Sequence, residues 1–258
     1  MQQLDLPHAL DVARRAVEAA SRVSLPYFEH GVAVETKSDE TPVTAADRAA
    51  EDAILSTIRA AFPEHAILAE ETGAHAGSAR TRWIVDPLDG TRGFARGGSF
   101  WGPLIALEHE GEVVVGACAM PALGKHYWGA RGLGAYRDGT RLSVSRIAAW
   151  KDSTLSLGEL RRMLAMPEGR AVAALITSSA STRSFGDPAA PTMVLDGRAE
   201  AWIEAGVKTW DLAPFAVLLE EAGGRFTCWN GTGSIETGNA IGTNGLAHAH
   251  VLATLRAH

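Results

Sequence analysis

The sequence predicts an α/β protein with two halves, an α+β half over residues 1–144 and an α/β half over residues 145–258. Two amphipathic helices and two short apolar strands come first, and segments separated by tight turns then continue to Val144, a pattern typical of a β-meander. After Ser145, strands and helices alternate, which indicates an α/β layer. A chain of 258 residues can form one large domain or two closely packed halves.

The first half begins with apolar residues at helical spacing, and this helix is expected to end before Pro26 because proline interrupts helical hydrogen bonding. Predicted next are a strand over 32–36, a helix over 44–61 and buried strands over 65–69 and 82–85. Carboxylates follow both buried strands, Glu70 and Glu71 after the first and Asp86 after the second.

The meander between Leu104 and Val144 has two hairpin signals, Glu110-Gly111 and Asp138-Gly139. The second half is expected to contain strands near 153–157, 171–177, 199–204, 225–229 and 240–243, and helices near 158–166, 188–197, 211–222 and 246–256. His248 and His250, in the last of these helices, are expected to be a surface pair.

The formal net charge is −6, and no basic stripe is present. Proteins that bind nucleic acids or membrane surfaces through charge normally carry a basic excess, so both functions are disfavoured. Cys118 and Cys228 are too few for a disulfide framework or a zinc site and are expected to be buried thiols. We find neither a signal peptide nor an apolar run long enough to span a membrane, and we therefore expect a cytoplasmic protein.

The string Asp86-Pro87-Leu88-Asp89-Gly90-Thr91 is the most informative stretch of the chain. Two carboxylates and the Leu88 carbonyl can converge there, and oxygen donors without His or Cys suit Mg²⁺ or Mn²⁺. Gly90 and Thr91 would begin a helical turn whose backbone N–H groups suit a phosphate oxygen. The alternative is a turn in which the aspartates only cap backbone amides. The chain has no G-x-S-x-G elbow and no C-x₅-R signature, so it lacks the residues typical of a serine or cysteine nucleophile.

This string resembles the signature of the inositol monophosphatase family of metal-dependent, lithium-sensitive phosphatases. The resemblance covers essentially the whole chain, because other family motifs occur in the same order and at matching intervals. These are Lys37 with Thr41-Pro42-Val43-Thr44-Ala45-Ala46-Asp47, then Glu70-Glu71 with Ala69 in place of the family's glycine, then Trp210-Asp211-Leu212-Ala213, and Glu221-Ala222-Gly223-Gly224.

The resemblance implies the layered αβαβα sandwich of the inositol monophosphatase and fructose-bisphosphatase type, with the metal site between the two halves. It also implies two to three Mg²⁺ ions, with Mn²⁺ as a substitute and Li⁺ as an inhibitor, and a homodimer that hydrolyses small phosphate monoesters. The implied metal ligands are Glu70, Asp86, the Leu88 carbonyl, Asp89 and Asp211.

The same resemblance gives catalytic roles to Asp47, Thr91 and Glu70, with Asp47 and Thr91 orienting and deprotonating the attacking water. Two metal ions can activate such a water and stabilise the leaving oxygen, so no protein nucleophile is needed. Read without the resemblance, Asp47 and Asp211 could each be simple caps of a helix N-terminus.

Within the family, several stretches are similar to the histidinol-phosphatase branch of bacteria and plants, among them Thr182-Arg183-Ser184-Phe185-Gly186-Asp187. The implied substrate contacts are Asp89, Gly90, Thr91, Arg183, Glu204 and Asp211. Arg183 could instead form a structural ion pair with Asp187, and Glu204 suits either an ammonium group or inositol hydroxyls.

The function implied first is therefore hydrolysis of L-histidinol phosphate to L-histidinol and phosphate in histidine biosynthesis. Inositol 1-phosphate is the alternative substrate, and a broad range of sugar or nucleotide phosphates is a third possibility. A non-catalytic partner of RNA or of transcription complexes is disfavoured, because the carboxylate positions are retained and the charge is acidic.

Overall fold

The computed structural model describes residues 4–36 and 42–257. Its helices are α1 (Leu6–His30), α2 (Ala45–Ala61), α3 (Thr91–Phe94), α4 (Leu160–Ala165), α5 (Gly169–Ser178), α6 (Ala189–Leu195), α7 (Thr209–Glu221) and α8 (His248–Arg256). Its strands are β1 (Val34–Thr36), β2 (Pro42–Thr44), β3 (His65–Ala69), β4 (Gly73–His75), β5 (Ser78–Asp89), β6 (Gly102–His109), β7 (Glu112–Met120), β8 (Lys125–Ala130), β9 (Gly134–Arg137), β10 (Thr140–Arg141), β11 (Thr154–Leu157), β12 (Ser181–Ser184), β13 (Ala201–Ala205), β14 (Arg225–Thr227) and β15 (Asn239–Thr243).

The larger sheet has eight strands in the order β10-β9-β8-β7-β6-β5-β3-β4. Its long run from β5 to β10 is antiparallel, as the predicted meander requires, whereas β3 and β5 are parallel. Glu110-Gly111 and Asp138-Gly139 form the two predicted hairpin turns, and all four residues have positive φ. The parallel pair matters most for the site, because both strands end at the same edge of the sheet.

The smaller sheet has five strands in the order β12-β11-β13-β15-β14. β11 is parallel to both β12 and β13, and β15 is antiparallel to its two neighbours. The chain passes from the larger sheet to the smaller one between Arg141 and Thr154.

Helices cover both sheets, and the result is five layers in the order α, β, α, β, α. Helices α1 and α2 pack on the outer face of the larger sheet, with Val12, Ile54 and Trp83 in that core. Helices α6 and α7 lie between the sheets, and α4, α5 and α8 cover the outer face of the smaller sheet. The predicted αβαβα sandwich is confirmed. No helix of the described ranges is long and apolar enough to span a membrane.

Helix α1 does not end before Pro26 as predicted, because it continues to His30 with the proline inside it. A proline in a helix removes one backbone hydrogen bond. The extra turn places Phe28 5.2 Å from the ring of Trp101 and 5.7 Å from the ring of Phe94. These aromatic contacts, in a small core beneath Leu88, favour the longer helix.

The prediction of a strand over residues 171–177 is wrong, because Gly169–Ser178 forms helix α5. Its buried residues Ala171, Val172 and Leu175 have the spacing of one helix face, and that face packs toward α8 and the smaller sheet. The polar edge strand β12, which follows α5, has no apolar alternation and was not predicted.

The expectation of a surface histidine pair is wrong for His248, which is 1% exposed. Its Nε2 lies 3.0 Å from the Thr227 hydroxyl and its Nδ1 lies 3.1 Å from the Thr243 hydroxyl. His250 is exposed as expected. Cys118 and Cys228 are both free and buried, which confirms the prediction that they are buried thiols.

Candidate active site

The parallel pairing of β3 and β5 places two of the predicted metal ligands side by side. Ala69 pairs with Val85, so Glu70 and Asp86 leave the same edge of the larger sheet on neighbouring strands. The amide of Glu70 also donates to the carbonyl of Val85, at 3.0 Å. The carboxyl ends of parallel strands are a common place for active-site residues, and here they carry two carboxylates.

Asp89, the last residue of the same strand, and Asp211, from helix α7, join Asp86. An irregularity in the pairing of β5 with β6 lies between Asp86 and Asp89, and the Leu88 amide donates to Asp86 Oδ1 at 2.8 Å. Asp211 comes from the first turn of α7, where its Oδ2 accepts a hydrogen bond from the Lys208 amide at 2.7 Å. We name Asp86, Asp89 and Asp211 the aspartate cluster, since each offers a carboxylate oxygen and these oxygens lie within 4.8 Å of one another.

Burial and mutual repulsion raise the carboxyl pKa values of the aspartate cluster. Burial raises the pKa of Asp86 and of Asp89 well above the usual value, and neighbouring carboxylates raise both further. The pKa of Asp211 rises to about 7, chiefly through burial and despite the hydrogen bond from Lys208. Such a cluster is unfavourable as three bare anions and is stabilised by a bound cation.

The donors fit a hard divalent cation better than a soft one. The aspartate cluster supplies only carboxylate oxygens, and the wider opening of about 730 Å³ around it is also lined by Glu70 and Leu88. Oxygen donors suit Mg²⁺ or Mn²⁺, whereas zinc sites normally include nitrogen or sulfur. We call this space the carboxylate opening; Gly90 and Thr91 line it as well.

Thr91 connects the carboxylate opening to the buried Asp47. Its hydroxyl donates to Asp47 Oδ1 at 3.0 Å, and it is also 3.2 Å from the Leu88 carbonyl oxygen. The other carboxylate oxygen of Asp47 accepts from the Thr44 amide and hydroxyl, at 2.8 and 2.6 Å. Asp47 is therefore both the predicted helix cap and the partner of Thr91, and it is 1% exposed, so Thr91 is the member of the pair that faces the opening.

A second space, which we call the side cavity, adjoins the first. It has a volume of about 390 Å³ and shares Asp89 and Asp211 with the carboxylate opening. Glu204, predicted to contact substrate, lines this cavity and is 5% exposed. Burial raises its pKa to about 7, although its Oε1 accepts hydrogen bonds from the amides of Glu159 and Ala205.

The structure does not bring Arg183 to either space. Its side chain is exposed, and its Nη1 donates to the neighbouring Thr182 carbonyl at 2.7 Å. It forms no ion pair with Asp187 in the described part of the chain, so neither predicted role is supported by the geometry. Lys37 and Thr41 lie outside the described residues.

Asp187 lines the side cavity and was not predicted as a site residue. Burial, together with the nearby Glu159, raises its pKa to about 6. The sequence signal was present, since Asp187 directly follows the Gly186 of the branch-like stretch, but it was interpreted only as a partner for Arg183.

A comparison with known protein families identifies the relatives of this chain. The inositol monophosphatase family matches residues 5–258. The chain belongs to this family. The resemblance inferred from the Asp86-to-Thr91 string is thus confirmed, and the chain is a phosphoric monoester hydrolase.

The relatives also agree with the resemblance to one branch of the family. The histidinol-phosphatase of Chlorobaculum parvum is 38% identical over 94% of this chain and 95% of that protein. The histidinol-phosphatase of Mycobacterium tuberculosis is 37% identical over 100% of both chains. Proteins named Nus factor SuhB also match, at 32–33% identity.

Solved structures confirm the fold. The inositol monophosphatase from Anabaena (Nostoc) sp. PCC 7120 has a TM-score of 0.87 and 32% identity, and the match covers 98% of this chain and 97% of that one. Family structures include one complexed with Mg²⁺ and phosphate and one that is a LiCl-soaked inhibitory complex. At 23% and 22% identity, these last two establish only the shared fold for the present chain.

Proposed function

We propose that the protein is a Mg²⁺-dependent histidinol-phosphatase that hydrolyses L-histidinol phosphate to L-histidinol and phosphate, a step of histidine biosynthesis. The observation that carries the proposal is the aspartate cluster beside an acidic side cavity, in a chain whose 37–38% identical relatives are histidinol-phosphatases. The 32% identity to an inositol monophosphatase supports inositol 1-phosphate as the second candidate substrate, ahead of a broad range of phosphate esters.

The aspartate cluster, with Glu70 and the Leu88 carbonyl, would hold two to three Mg²⁺ ions. Mn²⁺ would substitute for Mg²⁺, and Li⁺ would inhibit the hydrolysis. Bound Mg²⁺ supplies Lewis-acid chemistry, because it neutralises phosphate charge and lowers the pKa of water. The purely oxygen donor set supports this choice of cation.

The protein's own part in proton transfer falls to Thr91 and Asp47. The Thr91 hydroxyl donates to Asp47, so its oxygen lone pairs remain free to accept a hydrogen bond from the attacking water. As that water loses its proton to Thr91, Thr91 passes its own proton to Asp47 Oδ1. Thr44 holds the other oxygen of Asp47 and keeps the carboxylate aligned for this transfer.

The ester's phosphate would lie in the carboxylate opening beside Gly90 and Thr91, and its alcohol would lie in the side cavity beside Glu204. Asp89 and Asp211, which line both spaces, would contact the ester at their junction. The contact predicted for Arg183 is not part of this proposal, because its side chain lies outside both spaces.

We further propose a homodimer in the cytoplasm and a division into two halves near residue 145. The free state of both cysteines supports a reducing compartment, and the two separate sheets support the division. The homodimer rests on the family resemblance, and light scattering of the purified protein would test it.

Phosphate release from histidinol phosphate tests the proposed activity. We expect turnover that saturates with both ester and Mg²⁺, stops when EDTA removes the metal, and returns when Mg²⁺ is added back. Turnover that persists in EDTA would refute the metal requirement, and no turnover of any ester with Mg²⁺ would favour a non-catalytic role.

A further inference from the structure

The aspartate cluster is divided between the two halves of the chain. Asp86 and Asp89 belong to strand β5, whereas Asp211 lies in the first turn of helix α7. A metal site works only when its ligands are held within about 0.5 Å of the required geometry. The contacts that fix the start of α7 relative to β5 therefore bear directly on metal binding.

The start of α7 has little apolar packing of its own. Residues 212–219 are all buried, but residues 206–211 are exposed or half-buried. At the other end of the helix, Glu221 accepts hydrogen bonds from the amides of Gly132 and Gly134, both at 2.8 Å, and this attaches that end to the larger sheet. The first turn relies more on polar contacts.

The bracing loop, which we define as residues 228–238 between β14 and β15, supplies those polar contacts. Ile235 anchors the loop in the core between the two sheets, where its side chain is buried. The Gly238 carbonyl accepts hydrogen bonds from the amides of Gly206 at 2.7 Å and Val207 at 3.3 Å. The chain leading into α7 is thus bonded to an anchored loop.

Glu236 of the bracing loop makes contacts on two sides. Its Oε2 accepts from the hydroxyl of Thr209 at 2.7 Å, and Thr209 is the first residue of α7, two residues before Asp211. Its Oε1 accepts from Arg82 Nη2 of β5 at 2.6 Å. The same guanidinium donates to both carboxylate oxygens of Glu108 on β6, at 3.1 and 3.0 Å, so its position is set by the larger sheet.

Arg82 and Asp86 lie on the same face of β5. Side chains alternate along a strand, so Arg82, Ile84 and Asp86 point the same way, and Ile84 packs in the core that contains Leu212 of α7. The pairing of this stretch with both neighbouring strands is regular. One rigid strand therefore carries two metal ligands at its end and, four residues before the first of them, the anchor for Glu236.

We propose that Glu236 is a positioning residue for the metal site, because it connects Arg82 of β5 to Thr209 of α7. Through this connection it fixes Asp211 relative to the other two members of the aspartate cluster. The inference rests on the proposed Mg²⁺ site, and Glu236 itself contacts neither metal nor substrate. Exposed ion pairs add little to stability, so the effect of Glu236 belongs to metal binding rather than to folding.

Calorimetric titration of the full-length protein with Mg²⁺ alone, without ester, tests the proposal. For Glu236→Ala and for Thr209→Val we expect the Mg²⁺ affinity to fall by about tenfold, the lower end of the usual loss when a group that supports a metal ligand is removed. Thr209→Ser retains the hydroxyl and should retain the wild-type affinity. The double variant Glu236→Ala/Thr209→Val should bind no more weakly than Glu236→Ala, because both changes break one hydrogen bond.

Hydrogen exchange in the absence of metal measures the start of α7 directly. In Glu236→Ala the amides of residues 207–211 should exchange faster than in the wild type, because the first turn opens more often. The amides of residues 215–219, in the buried part of the helix, should keep their protection.

Glu110→Ala is the matched control. Glu110 also pairs with an arginine of β5, Arg80, and its side chain is 53% exposed, against 54% for Glu236. Its contact stays within the larger sheet, at the turn between β6 and β7, so its loss should change neither the Mg²⁺ affinity nor the exchange at the start of α7. Thermal unfolding establishes that each variant is folded.

The outcomes separate this inference from the proposed function. If Glu236→Ala is folded and binds Mg²⁺ as tightly as Glu110→Ala, the inference is wrong, whether or not the unfolding temperature has changed. If the wild type itself binds no Mg²⁺, the proposed function and the inference both fail. If the wild type binds Mg²⁺ and hydrolyses the ester while the Glu236 and Thr209 variants bind Mg²⁺ equally well, only the inference is refuted.

Discussion

At the scale of single residues, the Thr91 hydroxyl has two contacts that its methyl group could not replace. It donates to Asp47 Oδ1 at 3.0 Å and lies beside the Leu88 carbonyl. Thr91→Val keeps the shape of the side chain and removes the proton relay, so kcat should fall by roughly 10²–10⁴-fold, the usual contribution of a positioned acid or base. Steady-state kinetics measure the loss.

Thr91→Ser is the matched control, since it retains the hydroxyl and should recover most of the activity. Equal kinetics for the valine variant and the wild type would show that the contact with Asp47 is only structural.

Asp89 lines both the carboxylate opening and the side cavity, and its negative charge is expected to bind the metal. Asp89→Asn conserves volume but removes a negative ligand, so we expect Mg²⁺ affinity to fall and turnover to drop by about 10³-fold or more, because metal charge stabilisation of several kcal/mol is lost. Calorimetric titration with Mg²⁺ and phosphate-release assays measure the two effects. Near-normal turnover would contradict the ligand assignment.

His248 gives the fold a pH dependence that is separate from the site. Burial lowers its pKa to about 4, so the folded protein excludes a proton that the unfolded chain binds near pH 6.5. Its contribution to stability is complete above pH 6.5 and is lost as the pH falls toward 4, by about 3 kcal/mol in all.

Chemical denaturation between pH 4 and pH 7 of the wild type and of His248→Gln isolates this contribution, because the buried carboxylates are common to both; the variant should gain less stability than the wild type as the pH rises. His250→Gln, two residues along α8 and exposed, should leave this gain as it is. If both variants keep the wild-type gain, another group is responsible.

At the scale of elements, helix α7 is positioned by its contact with strand β7. A Cβ atom on Gly116 would lie 2.5 Å from the Pro214 carbonyl oxygen and 2.8 Å from Val217 Cγ1, both in α7. Gly116→Ala should therefore push α7 outward, with a loss of about 1–3 kcal/mol in the free energy of unfolding, as is usual for overpacking.

Because Asp211 lies in the first turn of α7, we also expect Gly116→Ala to weaken Mg²⁺ binding. Denaturation and calorimetry measure the two effects. Gly233→Ala is the control, since its added Cβ would meet no atom within 4 Å. A Gly116 variant as stable as this control would contradict the packing argument.

Elements were predictable from the sequence where local pattern and tertiary packing agree. Strands β3 and β5 are apolar runs that end in carboxylates, and helix α2 begins at a capping box formed by Thr44 and Asp47. Prediction failed where packing overrides a local signal. Aromatic contacts carry α1 past Pro26, and β12 is a strand only because β11 lies beside it.

At the scale of the whole molecule, the negative charge is concentrated at one site. Asp47, Glu70 and the aspartate cluster account for five of the carboxylates in a chain of net charge −6. The cluster could be predicted because its members lie in recognisable motifs. The side cavity could not, since Glu159 has no motif of its own, and Asp187, although it ends the branch-like stretch, meets Glu204 only when the smaller sheet and its connecting segments assemble.

The most direct test of the proposed function is a side-by-side measurement of kcat/KM for L-histidinol phosphate and inositol 1-phosphate, at saturating Mg²⁺ with the same enzyme preparation. We predict a ratio of about ten or more in favour of histidinol phosphate, a difference of about 1.4 kcal/mol in transition-state binding. Equal low values for both esters, or a preference for inositol 1-phosphate, would contradict the assignment.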